Sequence, residues 1–304
     1  MQILQQPQAQ AVKKIIKIVL IVIGCLVIAA VLWGVISPLL GIDGGRVFGW
    51  QDYRYDETGY TVGEGSIPYG DITAIDLDWV DGKIEIVACG DTFVSLTESA
   101  DAELPESARL RWRVDENGRL SIKYRKSSWF LGFGHENRNK TLILRIPEHM
   151  LESLELLDVK TVSSQVSVTD ISADAFVYEN VSGNLTLQNA AFTRCELEST
   201  SGDISVSDCR VERADAELVS GDLTFCSTFC PSALDIESVS GDVELLIPAD
   251  SSFALLHETE SGQFISDFSV TKQGERYVCG SGTASFDVET VSGDLLLSQS
   301  NDAN

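Results

Sequence analysis

The sequence predicts an all-β protein, a β-solenoid or β-helix-like stack of about eight rungs of ~20 residues, carried on one N-terminal transmembrane helix. Three observations predict it. A Ser-Gly-Asp corner recurs at nearly fixed pitch, its glycines Gly183, Gly202, Gly221, Gly241, Gly262 and Gly293 lying 19, 19, 20, 21 and 31 residues apart. Apolar residues alternate on both sides of each corner, as in Leu185 and Leu187, Ile204 and Val206, or Leu223 and Phe225 after it. A run of 23 residues without a charge, Ile18 to Leu40, precedes everything else.

The alternation by two makes each unit a strand, a sharp corner and a second strand. Glycine supplies the corner conformation that a β-carbon disfavours, and Asp or Asn suits the turn beside it. One unit cannot bury its own apolar row, so units must stack. The template finds two more units, at Ser164 and at Gly82. The unit at Gly262 is worn, with His257, Glu260 and Ser266 at positions that are apolar elsewhere.

From the N-terminus, residues 1–17 are a short basic segment containing Lys13, Lys14 and Lys17. Residues 18–40 are long enough to span a bilayer, and the lysines place the N-terminus in the cytoplasm and the rest outside. A cleaved signal peptide is the competing reading, because Val22-Ile23-Gly24-Cys25 loosely resembles a lipoprotein cleavage box. The apolar run continues past Cys25 to Ile36, which favours an uncleaved anchor. Residues 41–70, rich in Gly and Tyr, read as a stalk. The repeat domain then runs from 71 to 298, and 299–304 are a tail.

Within the repeat domain, 87–150 read as an excursion of antiparallel strands at 93–97, 110–114, 120–124 and 142–146. The hairpin signal is Glu116-Asn117-Gly118. Ten basic residues lie between Arg109 and Arg145 against three acidic ones. They flank a loop containing Trp129, Phe130 and Phe133. With Arg125 and Lys126, that loop is the candidate binding surface for an anionic lipid layer or wall polymer. The competing reading is that these aromatics cap the open end of the stack.

The chain has 46 acidic and 22 basic residues, a formal charge of −24. Three of the bases and none of the acids precede residue 41, so the exterior part carries −27. That balance argues against nucleic-acid binding and is otherwise explained by solubility. Seven cysteines specify no disulfide framework. Cys195 and Cys230 fall on positions that are apolar in neighbouring rungs, and Cys226 falls on an outward one.

No catalytic constellation stands out. His135, His149 and His257 share no motif, and Ser269-Val-Thr-Lys272 has no companion. No phosphate loop, dinucleotide fingerprint or zinc spacing occurs. The best enzyme argument is a row of Asp203, Asp222 and Asp242. In registered rungs they would stack about 4.8 Å apart and attract calcium, as in polysaccharide-cleaving β-helices. The alternative is that each is a solvated turn residue.

Three pieces carry a family resemblance: Leu144-Arg145-Ile146-Pro147 leading into the first close rungs, the Val-Ser-Gly-Asp run, and Gly280-Ser281-Gly282 followed by Phe286 to Asp294. They resemble the bacterial putative-adhesin family of β-strand-repeat domains of unknown function, over about residues 70–298. The resemblance implies membrane anchoring, common in Gram-positive members, and for some a place in envelope-stress operons. It brings no catalytic residues with it.

The expected function is a membrane-anchored, surface-displayed, non-enzymatic protein that binds or scaffolds at the bacterial cell envelope. The expected partners are the membrane itself and an anionic lipid, wall polymer or membrane protein, with no cofactor and no nucleic acid. The alternatives are a calcium-dependent polysaccharide-acting enzyme and a sensor arm of an envelope-stress system.

Overall fold

The computed structural model of this chain describes residues 53, 55–68, 70, 72–127 and 139–300. The span 18–40 and the loop residues Trp129, Phe130 and Phe133 lie outside them. Among the described residues no helix is long and apolar enough to cross a membrane.

Each repeat forms the strand–corner–strand unit that its alternation requires. Strands preceding the corner pair in parallel with one another, and so do the strands following it, giving two columns joined at the glycine edge. Register is kept from rung to rung, apart from one shift between Val206 and Cys209: Leu185 lies between Val166 and Ile204, and Leu197 between Tyr178 and Ala216. The inward rows of the two columns, such as Phe176 with Leu187 and Ile236 with Leu245, are buried in one continuous apolar core.

The corner requires glycine for two independent reasons. At Gly202 φ is +134°, and a β-carbon there would lie 2.0 Å from the carbonyl oxygen of Gly183 in the next rung. Gly183, Gly221, Gly241 and Gly293 meet the same obstacle at 2.0–2.3 Å, and Gly262 at 2.0 Å. Gly82 faces the carbonyl of Lys140 at 2.1 Å, so Lys140 stands where a corner glycine would stand in one further rung.

Two departures from the expected solenoid follow from pairing. First, the strands do not stack in sequence order. Ala284–Ser292 lies between Ala233–Ser240 and Phe253–Ser261, and Leu295–Ser300 lies between Val243–Pro248 and Phe264–Ser266. The last unit is thus inserted inside, and the Gly262 unit is near the end of the stack. That explains its wear: His257 opposite Val288 faces fewer apolar neighbours than an interior residue would.

Second, the 87–150 region is only partly an excursion. Arg119–Lys123 and Thr141–Pro147 pair in parallel with the two halves of Ala74–Cys89 and extend both columns. Phe93–Ser99 and Arg111–Val114 do run antiparallel, and the hairpin turns at Gly118. Residues expected as stalk also join: Thr61–Val62 pairs with Arg111–Val114, and Gly65–Pro68 with Phe93–Ser99. The architecture is therefore an all-β repeat domain rather than a simple solenoid of successive turns.

Candidate functional site

The polar groups of this domain lie in rows, because every repeat position is copied from rung to rung. The corner aspartates form one row. The Asp222 N–H donates to Asp203 Oδ1 at 3.1 Å, and the Asp242 N–H to Asp222 Oδ1 at 2.8 Å. Asn184, Asp294 and Gln263 continue the chain of bonds at either end. Each carboxylate of the proposed calcium row thus caps a backbone N–H of the neighbouring rung. No group of three or more potential ligands suited to a metal occurs among the described residues.

A second acidic row was legible in the sequence but not singled out there. Four residues before each corner glycine stand Glu179, Glu198, Glu217, Glu237, Glu289 and Glu258, in that spatial order and directly opposite one another. Beside them run Glu196, Asp215, Asp235 and Asp287. Both rows lie on the outer face of the pre-corner column. Partial burial, then the neighbouring carboxylates, raise the pKa of Glu198, Asp215, Glu217, Asp235, Glu237 and Glu289. At the N-terminal side burial pushes Asp158 up to about 6 against the pull of Lys160. Lys160 bonds Glu179, and Arg276 closes the far end on Asp287 at 2.8 Å.

The post-corner column differs in charge. Its outer face carries Ser167, Thr186, Ser205 and Thr224 in one row, with Thr169, Gln188 and Ser207 in the next. The middle of this face is neutral, and carboxylates reach the first row only at its two flanks, Glu85 beside Ser167 and Glu244 beside Thr224.

The basic cluster around Arg109–Arg145 is largely occupied internally. Arg113 lies 4.8 Å from the Tyr60 ring, Lys123 5.9 Å from Tyr55 and Arg125 5.6 Å from Tyr53. Arg119 and Lys123 also bind Asp76 and Asp78. Of the proposed surface residues, Arg125 is therefore packed against a tyrosine, and Lys126 is exposed. Charge counting treats these side chains as free, and the tyrosines that engage them lie some 50–70 positions away in the chain.

Lys140 was not anticipated. Its ammonium is buried, 4.7 Å from the Trp79 ring and 3.9 Å from Tyr124. It pairs with buried Glu98 at 2.5 Å and donates to the carbonyls of Ala108 and Tyr124 at 2.8 and 2.5 Å. Burial pushes its pKa down to about 8, with Glu98 opposing. This closed box locks the rung whose two halves are joined through the segment that bears the aromatic loop. Of the cysteines, Cys195 fills the core and Cys226 faces outward. Cys230 sits half-buried in the Thr228–Ser232 turn rather than in a core row.

The sequence pattern of the Toastrack DUF4097 family matches residues 72–298, the span of the stacked columns. The chain belongs to the Toastrack family. No curated protein matches it. This Toastrack chain is similar to a solved "putative lipid binding protein" from Parabacteroides distasonis, at 14% identity and TM-score 0.42, over 79% of this chain and 97% of that one. A "putative adhesin" from Bacteroides fragilis matches at 12% and TM-score 0.40, over 79% and 97%. A "putative cell adhesion protein" from Clostridium sporogenes matches at 13% and 0.34, over 79% and 100%.

Proposed function

We propose that this Toastrack protein is a non-enzymatic binding or scaffolding element, held by residues 18–40 in the bacterial membrane and displayed at the cell envelope. The observation that carries the reading is the disposition of its polar groups. They are spread in registered rows over two broad outer faces and a corner edge, a layout suited to extended contact rather than to one reaction centre. The carboxylates on which a calcium-dependent enzyme would draw, Asp203, Asp222 and Asp242, are tied to backbone N–H groups. The uncharged run at 18–40 and the three lysines before it support the anchor and its orientation.

The test presents the 41–304 domain to cell-wall sacculi, sacculi stripped of wall polymer and anionic liposomes, each with and without calcium. Retention on one of these surfaces is expected. Absence of retention on all of them would overturn the envelope-binding reading in favour of a sensor arm contacting a membrane protein.

A further inference from the structure

The edge opposite the glycine corners changes character along the stack. The units at Ser164, Gly183 and Gly202 turn there through tight corners at Asp170, Asn189 and Asp208, each with positive φ. The last three do not. Thr228–Ser232, 249–252 and 280–283 are longer loops, two of them bordered or interrupted by proline. The inserted last unit brings the three together, because Ala233, Ser285 and Ala254 occupy successive rungs. Between them lies an open groove of about 630 Å³. That is within the ~300–1,000 Å³ range of small-ligand sites. A repeat protein that abandons its regular corner in three adjacent units is departing from its own pattern where function is expected.

The groove is built and held. The Ser252 hydroxyl accepts the N–H groups of Ser281 and Gly282 at 2.9 and 3.0 Å, fixing one loop to another. The Arg210 guanidinium lies 4.2 Å over the ring of Phe229, which lines the groove. Ser251 is 6% exposed, lines the groove, and its hydroxyl has no hydrogen-bond partner. An orphaned buried hydroxyl is costly unless something completes it.

The chemistry of the lining selects the ligand. Thr228, Ser232 and Thr283 each donate their hydroxyl to a backbone carbonyl, which leaves their lone pairs as acceptors. Asp250 adds a carboxylate, and no lysine or arginine lines the groove. The site is rich in acceptors, carries an aromatic ring and belongs to a chain of charge −24. It therefore disfavours anions and suits a donor-rich, uncharged molecule with an apolar ring face.

We propose that the groove between Phe229, Asp250 and Ser251 binds a neutral saccharide unit of an envelope or surface glycan. The proposal rests on the envelope-binding reading and names one ligand class for it.

The test uses the full chain in a sugar-free detergent, titrated with chitotetraose and maltotetraose and with trigalacturonate as anionic control. Saturation-transfer NMR and calorimetry would read binding up to about 10 mM. At least one neutral tetramer is expected to bind and the anionic one is not. Ser251→Ala should weaken binding by roughly three- to tenfold, the worth of one hydrogen bond. The same variant should leave the melting temperature unchanged or raised, since it removes an unpaired buried hydroxyl. Phe229→Ala should weaken binding further. Failure of both neutral tetramers to bind would overturn the proposal, as would affinities unchanged in both variants. Retention on envelope fractions without saccharide binding would discard the groove and leave the envelope reading standing.

Discussion

Replacing Lys140 by Met tests the energetics of the domain at their most concentrated point. Lys140 is a 2%-exposed cation whose partner Glu98 is 3% exposed. The Glu98 carboxylate also accepts the N–H of Leu110 at 3.0 Å, so it stays buried when the lysine is removed. Methionine keeps the stem volume but deletes the ion pair, two hydrogen bonds to carbonyls and the contacts with Trp79 and Tyr124. Breaking one side of a buried pair costs about 3–5 kcal/mol, mostly through the uncompensated charge left behind. For a domain of this size each kcal/mol lowers Tm by roughly 2–4 °C, so the expected fall is on the order of 10 °C. Glu98→Gln in the same chain removes the stranded charge, and the double variant should recover about half of the loss. Chemical denaturation of the four proteins of the cycle reads these values. A Lys140→Met cost below about 1 kcal/mol, or a double variant less stable than the single, would mean that no stranded Glu98 charge dominates the loss.

The remaining predictions concern the rows. The raised pKa values of the ladder carboxylates mean that the folded state binds protons more tightly than the unfolded state does. Stability should therefore rise as pH falls from 8 toward the ordinary carboxylate range, with the change at Asp158 centred near 6. Glu217→Gln should flatten that profile and add a few tenths of a kcal/mol at pH 8, since like charges directly opposite are destabilising; a Tm that climbs steadily from pH 5 to 8 would contradict this. Gly202→Ala should cost at least about 2–3 kcal/mol, because strain and a backbone collision add. Gly274→Ala, at an open hairpin tip, should cost only roughly 1 kcal/mol. Asp222→Asn keeps the oxygen that caps Asp242 and should be nearly neutral, whereas Asp222→Ala should cost about 1 kcal/mol. Millimolar calcium should shift the Tm of neither.

Much of the fold was legible because a repeat states each rule several times. The corner glycines, the apolar rows and the hairpin at Gly118 all followed from spacing. The spatial order of the rungs did not, since Gly241, Gly262 and Gly293 share one template and a template does not name its neighbour. The wear of the Gly262 unit was a usable hint, for only a unit near an end tolerates His257 in the core row. The glutamate ladder is visible as a glutamate four positions before each corner, but spacing alone does not show that these residues line up opposite one another on a half-buried face. The Lys140 box and the groove at the edge opposite the corners were not legible, for a different reason. Each is assembled from loops distant in sequence, with Trp79, Glu98 and Lys140 converging in one case and the 228–232, 249–252 and 280–283 turns in the other.

Display of the repeat domain outside the membrane would be read from the accessibility of an epitope tag placed after Asn304. Antibody would be added to protoplasts before and after permeabilisation, for the intact chain and for a chain lacking residues 18–40. Labelling of intact protoplasts is expected, with loss of membrane association when 18–40 is removed. Labelling that appears only after permeabilisation would place the repeat domain in the cytoplasm and contradict it.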